Sequence, residues 1–148
     1  MICFPNGEHT FYLKQHLHEG EEVYCAPGCD SGLIKVNGTR IALAVCADFT
    51  HPSHAATAAA QQADVYLASA LISPGGYAYD AELLAATAKR HQLPVLLANH
   101  ISTTGGWQTC GNSGGWNAAG ELAVSANGTQ PCLVLCRIHH GAISPPYS

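Results

Sequence analysis

Ile41-Ala42-Leu43-Ala44-Val45-Cys46-Ala47-Asp48 decides how this chain is read. Five consecutive apolar residues, with no polar alternation, mark a strand covered on both faces, the pattern of a parallel sheet interior. The run ends on a cysteine entering a turn. α/β architectures expose reactive groups at the carboxyl ends of their strands. There a thiol stays open to substrate while its backbone is held.

Downstream, strand and helix signals alternate. Residues 53–62 (SHAATAAAQQ) are alanine-rich and predict a helix with Ser53 as N-cap. Residues 65–70 (VYLASA) predict a second strand. Asp80 is placed to cap a helix over 81–91, with Leu84, Ala88 and His91 on one face. Residues 94–98 (PVLLA) predict a third strand, its proline suited only to the first position. Beyond Asn99, residues 101–115 are rich in Gly, Ser and Thr, which suggests an irregular loop near a site. Asn99, Trp107, Asn112, Ser113 and Trp116 are its candidates for lining a pocket, although Trp116 at hairpin spacing suits the core. Residues 113–117 and 121–126 read as a hairpin around Asn117-Ala118-Ala119-Gly120, residues 132–138 (CLVLCRI) as a last strand, and 139–148 as a loose tail. The expectation is one α/β domain over 1–138 with a tail, its sheet covered by helices on at least one face.

Upstream, Pro5-Asn6-Gly7-Glu8 reads as a hairpin turn feeding a strand that carries Lys14. Phe11-Tyr12-Leu13-Lys14-Gln15-His16-Leu17 is followed by Gly20-Glu21-Glu22 and Pro27-Gly28. A lysine brought beside Cys46 would favour the thiolate and hold a developing oxyanion.

Composition narrows the class. Hydrophobic residues make up 47% of the 148 and charged residues only 11%, well under the roughly 25% of an ordinary soluble domain. Such a surface suits cover by a partner subunit or by a further part of the same fold. A net charge of −4 with six scattered Lys/Arg gives no basic stripe for nucleic acid. No apolar run approaches a membrane span, and residues 1–12 lack the regions of a signal peptide. Seven cysteines without an export signal suggest a reduced, cytoplasmic setting with free thiols mostly buried.

The ordered set of motifs resembles the carbon–nitrogen hydrolase (nitrilase/amidase) superfamily. It comprises the Tyr-x-Lys-x-His-Leu run, the Gly-Glu and Pro-Gly after it, the strand delivering Cys46-x-Asp48, and Asn99 after the third strand. Gly111-Asn112-Ser113-Gly114-Gly115-Trp116-Asn117 running into Gly120-Glu121-Leu122 resembles the family's Gly-x-Ser…Gly-x-Leu element. The resemblance covers residues 9 to about 138 and implies a partial α-β-β-α sandwich, a mixed sheet with helices on one face. It implies Cys46 as the nucleophile that attacks a small amide or nitrile and forms a thioester-type intermediate. Lys14 would stabilise the oxyanion with the backbone N–H after Cys46, and Glu21, with Glu22 as its near-degenerate alternative, would orient the lysine. Asp48, Asn99 and Ser113 are the expected substrate-side residues, Asp48 also bracing the turn. No metal or other cofactor is implied, because Cys, Lys and Glu supply nucleophile, electrophile and base.

One departure stands out. The family's general base is a glutamate from a segment well upstream of Tyr-x-Lys, and only Glu8 is acidic among the eleven residues before Tyr12. The expectation is a carboxyl-terminal part of a hydrolase, weakly active or inactive alone, working as a homo-oligomer or with a completing chain. A non-catalytic remnant of the same fold stays open, as does an unrelated cysteine-based metal or redox module.

Blander readings stand beside each residue. Cys46 could be a buried small hydrophobe, Lys14 a solvated edge lysine, and Glu19, Glu21 and Glu22 merely a charged loop. His16 and His18 read as structural or exposed. Cys25-x₃-Cys29 flanks a turn without a matched ligand pair. Cys132 and Cys136, four apart on a strand, would lie roughly 13 Å from each other, too far for one zinc. Gly75-Gly76-Tyr77 lacks the Gly-Lys-Ser/Thr of a phosphate loop.

Overall fold

The computed structural model describes residues 1–146; Tyr147 and Ser148, the end of the expected tail, lie outside the described residues. β1 (Ile2–Cys3) and β2 (His9–Thr10) form a small hairpin closed at Phe4–Glu8, as the Pro-Asn-Gly turn predicts. β3 (Leu33–Val36) and β4 (Thr39–Val45) pair through a two-residue turn. Its central residues Asn37 and Gly38 both have positive φ, the type I′ geometry that suits strand twist. β5 (Val65–Ala70) and β6 (Val95–Asn99) continue the sheet in parallel to β4. β7 (Thr103–Thr104) and β8 (Trp107–Gln108) make a second small hairpin outside it. β9 (Gly114–Trp116) and β10 (Leu122–Ser125) return antiparallel, giving one mixed six-stranded sheet in the order β10-β9-β6-β5-β4-β3.

Two helices cover one face. α1 (Pro52–Ala60) starts at Pro52 rather than with Ser53 as cap: His51 holds the N-cap position, and proline is pre-organised for the first helical turn. α2 (Tyr77–His91) begins one turn earlier than the sequence suggests, so Asp80 lies inside the first turn instead of capping it. Leu84 and Ala88 face the core as expected. Alternate strand residues join them there: Ala42 and Ala44 from β4, Tyr66 and Ala68 from β5, Val95 and Leu97 from β6. Small residues on this side let the helices approach closely. Trp116 completes the core, as its hairpin position predicts.

The opposite face carries Ile41, Leu67 and Leu96, which line a cavity of about 670 Å³ beneath Cys136 and Ile138. Here two expectations fail. Residues 132–136 form no strand; only Arg137–His139 do, as β11, and they pair with β12 (Ala142–Ser144). The apolar run finds no strand partner, so Leu133 and Leu135 stay 87% and 57% exposed while Cys136 leans over the sheet. Conversely, the segment read as a loose tail contributes β12, whose Ile143 is buried.

Candidate active site

Cys46 follows directly on β4 and has φ +50°, a left-handed conformation that few residues other than glycine adopt. The next residues tighten into a short 3₁₀ turn, Cys46–Thr50. What holds this bend is Asp48, which has no exposed surface. Its carboxylate accepts the backbone N–H of Val45 at 2.9 Å, closing the bend around Cys46. It also accepts the backbone N–H groups of Gln15 and His16 at 2.9 and 2.8 Å and the Tyr12 hydroxyl at 2.6 Å. One buried carboxylate thus ties the segment carrying Lys14 to the bend carrying Cys46.

That segment is not the strand the sequence suggests. Residues 11–18 have no sheet partner, and the fixed acceptor on Asp48 takes the place of a ladder. Two glycines permit the close approach. Gly28 donates its N–H to the Lys14 carbonyl, and a Cβ on it would run into the Leu13 backbone. A Cβ on Gly32 would strike the Tyr12 ring.

Asp48 titrates as its surroundings dictate. Burial alone would push its carboxyl up, but the hydrogen bonds from Tyr12, Val45 and His16 outweigh that and hold it below the usual carboxylate range. Burial, then the Asp48 hydrogen bond, drives the Tyr12 hydroxyl the other way, upward. His54 sits behind them, with Tyr12 and Tyr66 hydroxyls at 3.0 and 2.8 Å on its two ring nitrogens, and burial lowers its affinity for a proton.

On the open side of the bend, Glu21 takes the Lys14 ammonium at 2.5 Å and the backbone N–H of His18 at 2.8 Å. The Lys14 hydrogen bond, and then that of His18, holds the Glu21 carboxyl below its ordinary value. The His18 Nε2 lies 3.2 Å from the Cys46 sulfur. His18, Glu19, Glu21, Cys46, Leu71 and Trp107 line one cavity of about 570 Å³, a size suited to a small organic molecule. Among the described residues, no three His, Cys, Asp or Glu side chains converge as a metal site.

The sequence matches the Carbon-nitrogen hydrolase family over residues 2–139. The chain belongs to that family. Solved structures agree with this carbon–nitrogen hydrolase assignment. The chain is similar to the amidase of Nesterenkonia sp. AN1 at 26% identity and a TM-score of 0.75, covering 83% of this chain and 49% of that one. A variant of the same amidase, with the acetamide moiety of fluoroacetamide added covalently at its active-site cysteine, matches at 26% and 0.75 over 83% and 47%. Another variant, in complex with butyramide, matches at 26% and 0.75 over 83% and 48%. This carbon–nitrogen hydrolase chain therefore spans about half the length of the amidases it matches. Curated proteins give no significant match.

Of the residues singled out from the sequence, Cys46 and Glu21 meet at the cavity, with Lys14 held against Glu21. Glu22, the alternative to Glu21, is exposed and does not line the Cys46 cavity. Asp48 is a buried bracket rather than an open substrate contact, because all of its acceptor capacity is taken by the chain itself. Asn99 is turned inward too: its side chain accepts the Ile72 N–H at 2.8 Å and donates to the Gly111 carbonyl at 2.6 Å. Ser113 accepts the Asn99 N–H at 2.9 Å and lines a separate cavity under the 132–136 segment. Both clamp the loop after β6 instead of facing Cys46. Trp107 is the member of that loop that reaches the Cys46 cavity. His18 is the residue that sequence reasoning set aside; its contact is 28 residues away along the chain, and no local spacing announces it.

Proposed function

We propose that this chain carries the nucleophile side of an amidase site, hydrolysing a small linear amide, or a nitrile, through a thioester on Cys46. The observation that supports it is the shared cavity: a thiol on a strained bend opens onto the same space as a carboxylate that grips Lys14. Sulfur attacks the carbonyl carbon, and the Lys14 ammonium and the Ala47 backbone N–H stabilise the oxyanion. Glu21 keeps the ammonium aimed. Leu71 and Trp107 offer an apolar wall for a short acyl chain. Fluoroacetamide tests this: its thiol adduct should form on Cys46 faster than on the exposed Cys3, Cys25, Cys29 and Cys132. Short-chain amides should release ammonia with wild type and none with Cys46→Ala. Labelling no faster than at the exposed thiols, with no ammonia released, would overturn the reading.

A second reading has its own support. The helix-free face of the sheet leaves Ile41, Leu67 and Leu96 beside an open apolar cavity, and the chain spans about half of the matched amidases. A second copy or a completing chain laid on this face would cover it and finish the site, so that activity appears only in the assembly. Ammonia release that rises faster than linearly with protein concentration, with a sedimentation boundary heavier than the monomer, supports this. A monomeric boundary with strictly proportional activity removes it.

A further inference from the structure

We propose that the cavity beside Cys46 selects small linear amides whose acyl chain ends in an ammonium group, with Glu19 and the Trp107 indole receiving that cation. The inference rests on the amidase reading above and names its substrate class. Charge in the cavity points the way. Glu19 and Glu21 line it, and no lysine or arginine does. Lys14 is bound to Glu21 at 2.5 Å, and the two charges offset each other. Glu19 makes no ion pair among the described residues. One carboxylate of the lining is thus left uncompensated. A substrate carboxylate entering here would meet like charge, while an ammonium group would supply the missing partner.

Trp107 supplies the second observation. It follows Gly105 and Gly106, both with positive φ, the two-residue turn that closes the β7–β8 hairpin. The base of that hairpin is fixed: the Thr109 hydroxyl donates to the Ser102 carbonyl at 2.7 Å, and the Cys110 N–H to the Ile72 carbonyl at 3.1 Å. Its tip is not packed, since a Cβ on either glycine would meet nothing within 4 Å. Trp107 takes no part in the core, and 66% of its surface is open although it lines the cavity. An indole held out at a cavity wall by a braced hairpin has a free π face, which attracts ammonium groups. Leu71, on the same wall, suits the methylene stem between the reacting carbonyl and the cation. Carboxylate, indole and leucine around one thiol fit a chain that is apolar along its length and positive at its end. A neutral alkyl amide would use the wall and leave Glu19 without a partner.

The test reads Cys46 with three thiol reagents of similar size and different charge: aminoethyl, hydroxyethyl and sulfonatoethyl methanethiosulfonate. Each forms a mixed disulfide, and mass spectrometry gives the rate at each cysteine at about pH 7.5, where an ordinary imidazole is mostly neutral. The exposed Cys3 and Cys132 serve as references within the same molecule. The ratio of aminoethyl to sulfonatoethyl rates at Cys46 is expected to exceed that at the references by about tenfold or more. Glu19→Gln should reduce this excess by roughly threefold to fivefold. Trp107→Leu should slow the aminoethyl reagent by a similar factor and spare the hydroxyethyl one, and Trp107→Phe, which keeps a ring, should restore most of the rate. Glu22→Gln removes a charge outside the cavity lining and should leave the ratio as in wild type. Glu19, Glu22 and Trp107 are all exposed, so none of these variants threatens the fold.

A ratio at Cys46 no higher than at Cys3 and Cys132 would overturn the proposal, as would an equal fall in Glu19→Gln and Glu22→Gln. In turnover, an ω-amino amide should show a higher kcat/KM than the alkyl amide of the same length, and Glu19→Gln should bring the two together. Charge-selective labelling without hydrolysis of any amide would remove the amidase reading alone. Hydrolysis with unselective labelling would remove this inference alone. Failure of all three reagents to label Cys46 would overturn both.

Discussion

Asp48 and Glu21 are two carboxylates on either side of the same bend, and they do opposite things. Asp48 is entirely enclosed and accepts three backbone N–H groups and a tyrosine hydroxyl; Glu21 is partly open, with 41% of its side chain exposed, and holds one ammonium and one N–H. Both carboxyls are held below their ordinary range, so acidity alone does not separate them. Burial does. An enclosed carboxylate whose lone pairs are all spent fixes chain to chain, whereas an open one beside a lysine orients charge toward a cavity. The lesson is that the acidic residue two positions after Cys46 builds the bend, and the one across the cavity is left open for the chemistry proposed above.

Removing the enclosed member should have the largest effect. Asp48→Ala leaves three backbone donors and the Tyr12 hydroxyl without an acceptor in the interior, and the expected loss is about 3–5 kcal/mol, read as a fall in the urea midpoint. A loss under about 1 kcal/mol would break the contrast.

Acid should act on the enclosed side next. His54 is held neutral below its ordinary value of 6.5, chiefly by burial, so between that value and its folded one the unfolded chain binds more protons. Stability therefore falls as pH drops below about 6.5. Asp48, held below its ordinary 3.8, adds a further loss as pH falls through its lowered value. Melting temperatures between pH 7 and 5 should decline in wild type and flatten in His54→Gln. Parallel slopes in the two proteins would assign the decline to other groups.

The open member should matter least to folding and most to chemistry. Glu21→Gln is expected to leave the urea midpoint unchanged, since the ion pair it ends is partly solvated. Alkylation of Cys46 and ammonia release should drop by roughly tenfold or more as Lys14 loses its anchor. A variant destabilised as much as Asp48→Ala would erase the distinction.

Particular elements show how far the sequence could be read. β4, β5 and β6 were legible because covered strands need continuous apolar runs, and α2's inner face because Leu84 and Ala88 keep helical spacing. Cys46 and Glu21 were singled out by the order of the family's motifs, and the fold brings both to one cavity. The route of residues 11–18 was not, because it is fixed by Asp48, more than thirty residues away, and not by any local pattern. β3 was overlooked although Asn37-Gly38 announces its hairpin. The 132–136 run misled because apolarity predicts burial, and strand formation also needs a neighbour with free N–H and carbonyl groups. Asn99 and Ser113 kept their motif positions but turned their polar atoms inward, which motif order cannot reveal.

Cys46 is one of six non-glycine residues with left-handed backbone among the described ones, and the one that opens onto the cavity shared with Glu21. A side chain held there costs about 1–2 kcal/mol, which glycine would recover. Heat selection applied without demand for turnover would thus drift toward replacing the thiol proposed here as the nucleophile. Thermal robustness and reactivity pull on this single position from opposite directions.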